Sequence, residues 1–268
     1  MLKQRILTAC ILAPVALICV FALPLSSFIY FLDFVILLAA WEWASLSGYE
    51  KGLKRHFYVL LMALAVFVMH LYHPYLPVNF ILAGAVVAWL VALVWVVRYP
   101  ACSSWGESWK RALIGFVVLL PCWLAFVGLK ATEGGELLIL FLFCIVWGAD
   151  IGAYFSGKRF GRNKLAPNVS PGKTREGLYG GLVVTLLFAI VYALYNELTA
   201  VQSLFLLGLV AITALISVLG DLFESMLKRF RGIKDSSQLL PGHGGILDRI
   251  DSLTAAAPVF VLGMQFLV

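Results

Sequence analysis

Residues 225–251 read SMLKRFRGIKDSSQLLPGHGGILDRID and lie between two long apolar runs. They hold five basic residues, three aspartates, one histidine and a run of glycines, with Asp221 and Glu224 just upstream. Carboxylates at the end of an apolar run, facing a basic, glycine-rich loop, are what a site for a metal ion and phosphate requires. Asp221, Glu224, Ser225 and Lys228 stand at i, i+3, i+4 and i+7, on one face of a helix, and Asp248, Asp251 and Ser252 repeat the first three positions. A charge in hydrocarbon costs at least about 2.5–3.5 kcal/mol, so such a cluster must face a polar cavity. Hard oxygen ligands with no cysteine nearby favour Mg²⁺ or Mn²⁺ over zinc. The plainer alternative is buried ion pairing with Arg229 or Arg249, and it can hold for Glu224 and Asp251 even where the rest of the cluster is catalytic.

A second basic stretch, GKRFGRNKLAPNVSPGKTREGLYGG at 157–181, carries six basic residues and feeds the next apolar run. Helix N-termini favour phosphate because free N–H groups and the dipole both point outward. Lys173 and Arg175 stand at such a terminus, and Gly172, Gly177, Gly180 and Gly181 allow close backbone approach. Gly172-Lys173-Thr174 is no P-loop: the pattern needs a glycine five residues earlier, where Pro167 stands, and no strand precedes it. A solvated basic loop resting on lipid head groups is the plainer reading and suits Lys158 and Lys164. His243, between glycines, reads either as a phosphate ligand or proton donor, or as a loop-packing residue. His70 and His73 have metal-ligand spacing but no acid beside them, and read as interfacial histidines.

The elements that carry these residues follow from composition. Of 268 residues, 62% are hydrophobic and 13% charged, against about 45–50% and about 25% in soluble domains. So short a chain cannot bury that excess in a core, and lipid can absorb it. A span needs about 20 mostly apolar residues. Nine candidates are Ile6–Leu23, Phe28–Leu46, Phe57–Leu76, Pro77–Val97, Ala112–Leu129, Leu137–Gly157, Leu178–Tyr195, Leu204–Leu227 and Leu247–Val268. The second is the least apolar, because it contains Asp33 and Glu42. The expected fold is all-α: a polytopic integral membrane protein of about nine helices with a cytoplasm-facing polar cavity. It is one transmembrane domain over 1–268, with helices one to five in 1–130 and helices six to nine, carrying the site, in 137–268. No soluble domain, repeat or low-complexity segment stands out.

Alternating the loops puts 19 of the 20 Lys and Arg on one side, with Lys130 alone opposite. Basic residues concentrate in cytoplasmic loops, so the N-terminus reads as cytoplasmic, the C-terminus as not. The uncharged run from Ile6 to Leu32 is too long for a simple signal region and reads as an uncleaved first helix. Cys10, Cys19, Cys102, Cys122 and Cys144 form no Cys-x-x-Cys pair and read as packing residues. Asp150 precedes Lys158 by eight residues and Asp221 precedes Lys228 by seven. Both acids thus lie about 10–12 Å inside the basic boundary. Asp248 starts the helix that runs back, so the three can meet in one cavity.

Residues 225–251 resemble the signature of the phosphatidate cytidylyltransferases, or CDP-diacylglycerol synthases. That signature runs Ser-x-x-Lys-Arg, Lys-Asp, His-Gly-Gly and Asp-Arg-x-Asp. Ser225, Lys228, Arg229, Lys234, Asp235, His243, Gly244, Gly245, Asp248, Arg249 and Asp251 fill it without departure. Asp150 followed by Ser170, Pro171, Lys173, Thr174, Glu176 and Gly177 resembles the family's second stretch, with Ile151 where threonine is frequent. The two cover most of residues 147–252, and the first half of the chain matches only in general hydrophobicity.

The resemblance implies condensation of CTP with phosphatidic acid into CDP-diacylglycerol and pyrophosphate. Asp221 and Asp248 are then the expected ligands of one or two Mg²⁺ or Mn²⁺ ions. Catalytic roles fall to Asp221, Asp248, Asp150, Lys228 and His243. Substrate binding falls to Ser170, Lys173, Thr174, Arg175, Ser225, Arg229, Lys234 and Arg249. The implied partners are CTP, phosphatidic acid and the lipid bilayer, without nucleic acid, and a homodimer stays open. The implied location is a bacterial inner (plasma) membrane with the active site cytoplasmic. Two alternatives stand beside this. Another lipid-phosphate enzyme, such as a polyprenol kinase, would use similar parts; the Asp-Gly-x-x-Ala-Arg run of the CDP-alcohol phosphotransferases is absent. An ion- or proton-coupled transporter would continue its polar residues to the far face, where Asp33 is the only acid in the apolar runs.

Overall fold

A computed structural model describes residues 2–240 and 242–267, without the side chains of residues 2–7, 9, 10 and 74. The side chains of Lys3, Arg5 and Cys10, and the last residue of the expected ninth span, Val268, lie outside the described residues. Among the described residues there are nine α-helices: α1 (Leu2–Ala22), α2 (Leu25–Ser47), α3 (Leu53–Tyr72), α4 (Val78–Arg98), α5 (Ser108–Ala131), α6 (Gly135–Phe160), α7 (Arg175–Tyr195), α8 (Ala200–Phe230) and α9 (Leu247–Met264). Seven of them, α2 to α8, are long and apolar enough to cross a membrane. In α1 only the shorter stretch Ile11–Ala22 is comparably apolar, and α9 opens with Asp248, Arg249 and Asp251. The protein is a multi-pass membrane protein, for which nine is an approximate count of spans.

Several helices run beyond their apolar limits. Helix α8 has 31 residues, about 46 Å of rise against about 30 Å of hydrocarbon, so its last turns carry Lys228 and Arg229 clear of the apolar run. Its start is set by a capping box: Thr199 Oγ1 accepts the Gln202 N–H while the Gln202 side chain accepts the Thr199 N–H. Helix α7 starts at Arg175 because Thr174 Oγ1 accepts the Gly177 N–H at 3.1 Å. Hydropathy is blind to such polar caps, so an apolar run underestimates its helix.

Among the described residues, a small hairpin departs from the all-helical pattern. Strands β1 (Lys164–Ala166) and β2 (Ser170–Thr174) pair antiparallel, with Lys164 opposite Thr174 and Ala166 opposite Ser170. The Val169 N–H closes the turn onto the Ala166 carbonyl at 3.1 Å, with Pro167 in the corner. Strands of three and five residues are too short to leave an alternating pattern in a basic segment.

Helix α9 lies at the centre, packed against α8, α5, α4, α6 and α2. Residues 252–261 are all buried, and Ala255, Ala256 and Ala257 let the neighbouring helices approach closely. Helices α3 and α4 turn Leu60, Phe67, Phe80, Val87 and Val97 outward, as helices bordered by lipid do. Lys130, the one basic residue on the minority side, is not a free charge: its Nζ lies 2.7 Å from Glu136 and donates to the Val20 carbonyl at 2.5 Å.

Candidate active site

Helices α6 and α7 form the most extensive helix pair in the chain, and they meet through small residues. A Cβ on Gly181 would lie 2.6 Å from the Ala149 carbonyl oxygen, one on Gly177 2.9 Å from that of Ala153, and one on Gly152 2.8 Å from that of Gly180. The role expected for Gly180 and Gly181, close approach to a ligand, is therefore corrected: their missing side chains are used by helix α6. Gly172 and Gly177 both line a cavity, and of the four only Gly172 has open space at its Cβ position. The close pairing of α6 and α7 sets Asp150 on α6 beside the hairpin that precedes α7. The hairpin is fixed in turn by Glu176, whose carboxylate accepts the N–H groups of Arg162 and Asn163 and the Asn163 side-chain amide.

Two lysine–carboxylate pairs occupy the centre. Lys173 Nζ, at the end of β2, lies 2.6 Å from Asp221 Oδ2 on α8. Ser225 Oγ, one turn along α8, donates to Asp221 Oδ1 at 3.1 Å. Lys228 Nζ lies 2.6 Å from Asp248 Oδ1 on α9 and 3.4 Å from Glu224 Oε1. Asp150 is within electrostatic reach of Lys173, Asp221 and Arg249, and the carboxyl of Asp251 adjoins that of Glu224 in the interior. The helix-face spacing read from the sequence thus converges as expected on α8 and α9. A cavity of about 360 Å³ opens beside Lys173 of the first pair. Asp150, Lys158, Gly172, Lys173 and Thr174 form its polar wall, and Ala153, Tyr154, Leu165, Leu178 and Val218 its apolar one. A pocket with cations and carboxylates on one side and apolar groups on the other suits a phosphate attached to a lipid.

The loop between α8 and α9 is held from an unexpected direction. Glu42 of α2 is fully buried, and its carboxylate accepts Ser236 Oγ at 3.2 Å, Ser237 Oγ at 2.5 Å, the Ile246 N–H at 3.0 Å and the Leu247 N–H at 2.6 Å. One sign of this was legible in the chain, an acid inside an apolar run, which counted only against that span. Asp33, the other acid of α2, accepts a hydrogen bond from Trp123 Nε1 at 2.7 Å and neighbours His70.

The remaining candidates are spent on local structure or lie further out. Thr174 is buried, its hydroxyl taken up in capping α7. Ser170 opens β2, half-buried, opposite Ala166. Arg175, Lys234 and Arg249 are exposed, and Arg175 is not among the residues lining the cavity. Arg229 donates to the carbonyls of Val169 and Ile233, tying α8 to the hairpin and to its own loop. His243 is half-buried on a tight turn, its N–H donating to the Leu240 carbonyl at 2.9 Å. This turn needs Gly242 and Gly244, at φ +77° and +82°.

Asp221 and Asp248 differ as metal donors. Asp221 keeps 30% of its side chain exposed and already has a cation, the Lys173 ammonium, against it. Asp248 is filled: Oδ1 takes Lys228, and Oδ2 takes the Ser236 N–H, the Ser236 hydroxyl and the Gly245 N–H. Among the described residues no group of three or more His, Cys, Asp or Glu is poised to enclose an ion. The donor set fits Mg²⁺, which takes one or two carboxylates and completes its shell with substrate phosphates and water.

The family model described as the cytidylyltransferase family matches residues 3–267. The chain is 49% identical over 261 residues to the phosphatidate cytidylyltransferase of Pseudomonas aeruginosa, covering 97% of this chain and 96% of that one. It is 39% identical over 280 aligned positions to the enzyme of that name from Haemophilus influenzae, and 32% identical over 275 to that from Thermotoga maritima, each covering 97% of the relative. The chain belongs to the cytidylyltransferase family.

Proposed function

We infer that the protein transfers the cytidylyl group of CTP to phosphatidic acid, giving CDP-diacylglycerol and pyrophosphate for phospholipid synthesis. The observation that carries this is the convergence of Asp150 and Lys173 on a half-polar, half-apolar cavity, with Asp221 paired to Lys173 from a third segment, in a chain similar along its length to enzymes named for that reaction. A transporter would need polar groups continuing across the protein; Asp33 instead joins Trp123 and His70 apart from the cluster.

An oxygen of the phosphatidate phosphomonoester attacks the α-phosphorus of CTP, the bond from that phosphorus to the bridging oxygen breaks, and pyrophosphate leaves with the electron pair. A phosphomonoester is largely ionised near neutral pH, so no strong base is needed. What the site must supply is neutralisation of phosphate charge in a water-poor setting. Lys173 exchanges Asp221 for a phosphate oxygen as substrate enters, and Lys228, held by Asp248, offers a second ammonium close by. Asp221 and Asp150 are the carboxylates that would hold Mg²⁺ or Mn²⁺, with Asp248 joining only on release of its present donors, and the ion would supply Lewis-acid neutralisation of the phosphates when bound. Arg175, Arg229, Lys234 and Arg249 form the basic approach that draws in the triphosphate. The basic face looks into the cytoplasm of a bacterial cell, where CTP enters from water and phosphatidic acid arrives sideways from the leaflet.

The test is an assay of purified protein with phosphatidic acid, Mg²⁺ and each of the four common ribonucleoside triphosphates. A liponucleotide should form with CTP and depend on phosphatidic acid. Phosphorylation of a polyprenol, with no liponucleotide from any triphosphate, would support the kinase reading instead.

A further inference from the structure

We propose that Glu42, on α2, is a positioning residue of the active site: it holds Ser236, Ser237, Ile246 and Leu247 in the conformation that aims Asp248 at Lys228. The proposal rests on the cytidylyl-transfer reading, because the property it explains is the geometry of that site. Glu42 lies outside the two stretches that carry the signature residues, and it is not among the residues lining the cavity.

A carboxylate buried in an apolar span is costly unless its lone pairs are filled. All four donors to Glu42 come from one stretch of chain. The Ile246 and Leu247 N–H groups are free amides at the start of α9, where the helix dipole also favours an anion. The Ser236 and Ser237 hydroxyls belong to the other end of the stretch. Glu42 therefore ties the two ends of the 236–247 loop to each other and to α2.

The same loop ends grip Asp248. Its Oδ2 accepts the Ser236 N–H at 2.9 Å, the Ser236 hydroxyl at 2.8 Å and the Gly245 N–H at 2.7 Å. Ser236 is thus common to both carboxylates, its one hydroxyl hydrogen shared between them, and the amides of 245, 246 and 247 are divided between Asp248 and Glu42. With Oδ2 fixed in this way, Oδ1 faces Lys228 at 2.6 Å. Gly245 is forced by the arrangement: a Cβ there would run into the Glu42 carboxylate and Ser236 Oγ. A displaced Glu42 would release both anchors of Asp248 and leave the cavity wall of Asp150, Lys173 and Thr174 untouched, so the loss should fall on turnover more than on substrate capture.

Glu42→Gln keeps the shape of the side chain but turns an NH₂ group toward N–H and O–H donors. The variant and the wild-type enzyme are purified in detergent, the monodisperse fraction is quantified, and kcat and KM for CTP and phosphatidic acid are measured per mole of that fraction. The expected result is a kcat at least about tenfold lower, since small misplacements of reacting groups cost that much, with both KM values within about twofold. Ser237→Ala, which removes one donor to Glu42 from a half-exposed side chain, should lower kcat in the same sense and to a smaller extent. It keeps the test decisive where Glu42→Gln yields no monodisperse protein. A kcat within about threefold of wild type in Glu42→Gln, or, where that variant does not fold, a wild-type kcat in Ser237→Ala, overturns the proposal. A wild-type enzyme that forms no lipid product would contradict the reaction itself, separately from Glu42.

Discussion

Lys173 Nζ and Asp221 Oδ2 stand 2.6 Å apart, one at the end of a two-stranded hairpin and the other on a helix two elements later. Neither residue reaches the other through its own element. Hairpin pairing fixes Lys173, Glu176 locks the hairpin to the start of α7, and the glycine interface fixes α7 to α6. If the pair is the phosphate-binding centre, Lys173→Ala and Asp221→Asn should each remove most of the turnover, and the double variant should lose little beyond the worse single, because residues acting as a unit are non-additive. Steady-state kinetics on the three variants decide this. Losses that multiply would show that the two residues act separately.

The second pair separates stability from catalysis. Asp248→Asn leaves Lys228 buried without its nearest counter-charge, and breaking one partner of a buried pair costs about 3–5 kcal/mol. A lower melting temperature in detergent and a loss of activity are both expected. Combining Lys228→Met with Asp248→Asn removes both charges, so much of the melting temperature should return while activity does not. Activity returning with stability would make the pair a packing device.

Glycines at the α6–α7 interface should be sensitive in proportion to the contact they make. Gly181→Val pushes side-chain atoms into the Ala149 carbonyl, an overpacking expected to cost about 1–3 kcal/mol and to part Asp150 from Lys173, lowering both melting temperature and turnover. Gly172→Ala, with open space at its Cβ position, should melt like the wild type.

Sidedness is open to labelling. In a cysteine-free background, Gln238→Cys, on the exposed part of the signature loop, should be protected from an impermeant thiol reagent in intact cells. Glu133→Cys, on the exposed turn between α5 and α6, should react. Labelling at 238 from outside the cell would reverse the orientation.

Much of this was legible in the chain because lipid imposes length and apolarity on every span. Within those spans, helix periodicity alone puts Asp221, Ser225 and Lys228 on one face. Three things lay beyond that reading. The hairpin is too short to show an alternating pattern between Lys164 and Thr174. Gly180 and Gly181 looked like ligand-approach positions because a glycine signals close approach without saying to what, and here the partner is α6. Glu42 lowered the apolarity of its span, and its purpose depends on donors some two hundred positions away. Long-range hydrogen bonds of this kind leave no local trace except an acid where none should be.

The central claim, cytidylyl transfer to a lipid phosphate, is tested most directly by following the label of CTP in the purified enzyme with phosphatidic acid and Mg²⁺. CTP labelled at the α-phosphorus should pass its label into the lipid fraction, and CTP labelled at the γ-phosphorus should release it entirely as pyrophosphate, mole for mole with the liponucleotide. Label from the γ position appearing in the lipid, or pyrophosphate released without any lipid product, would contradict the account.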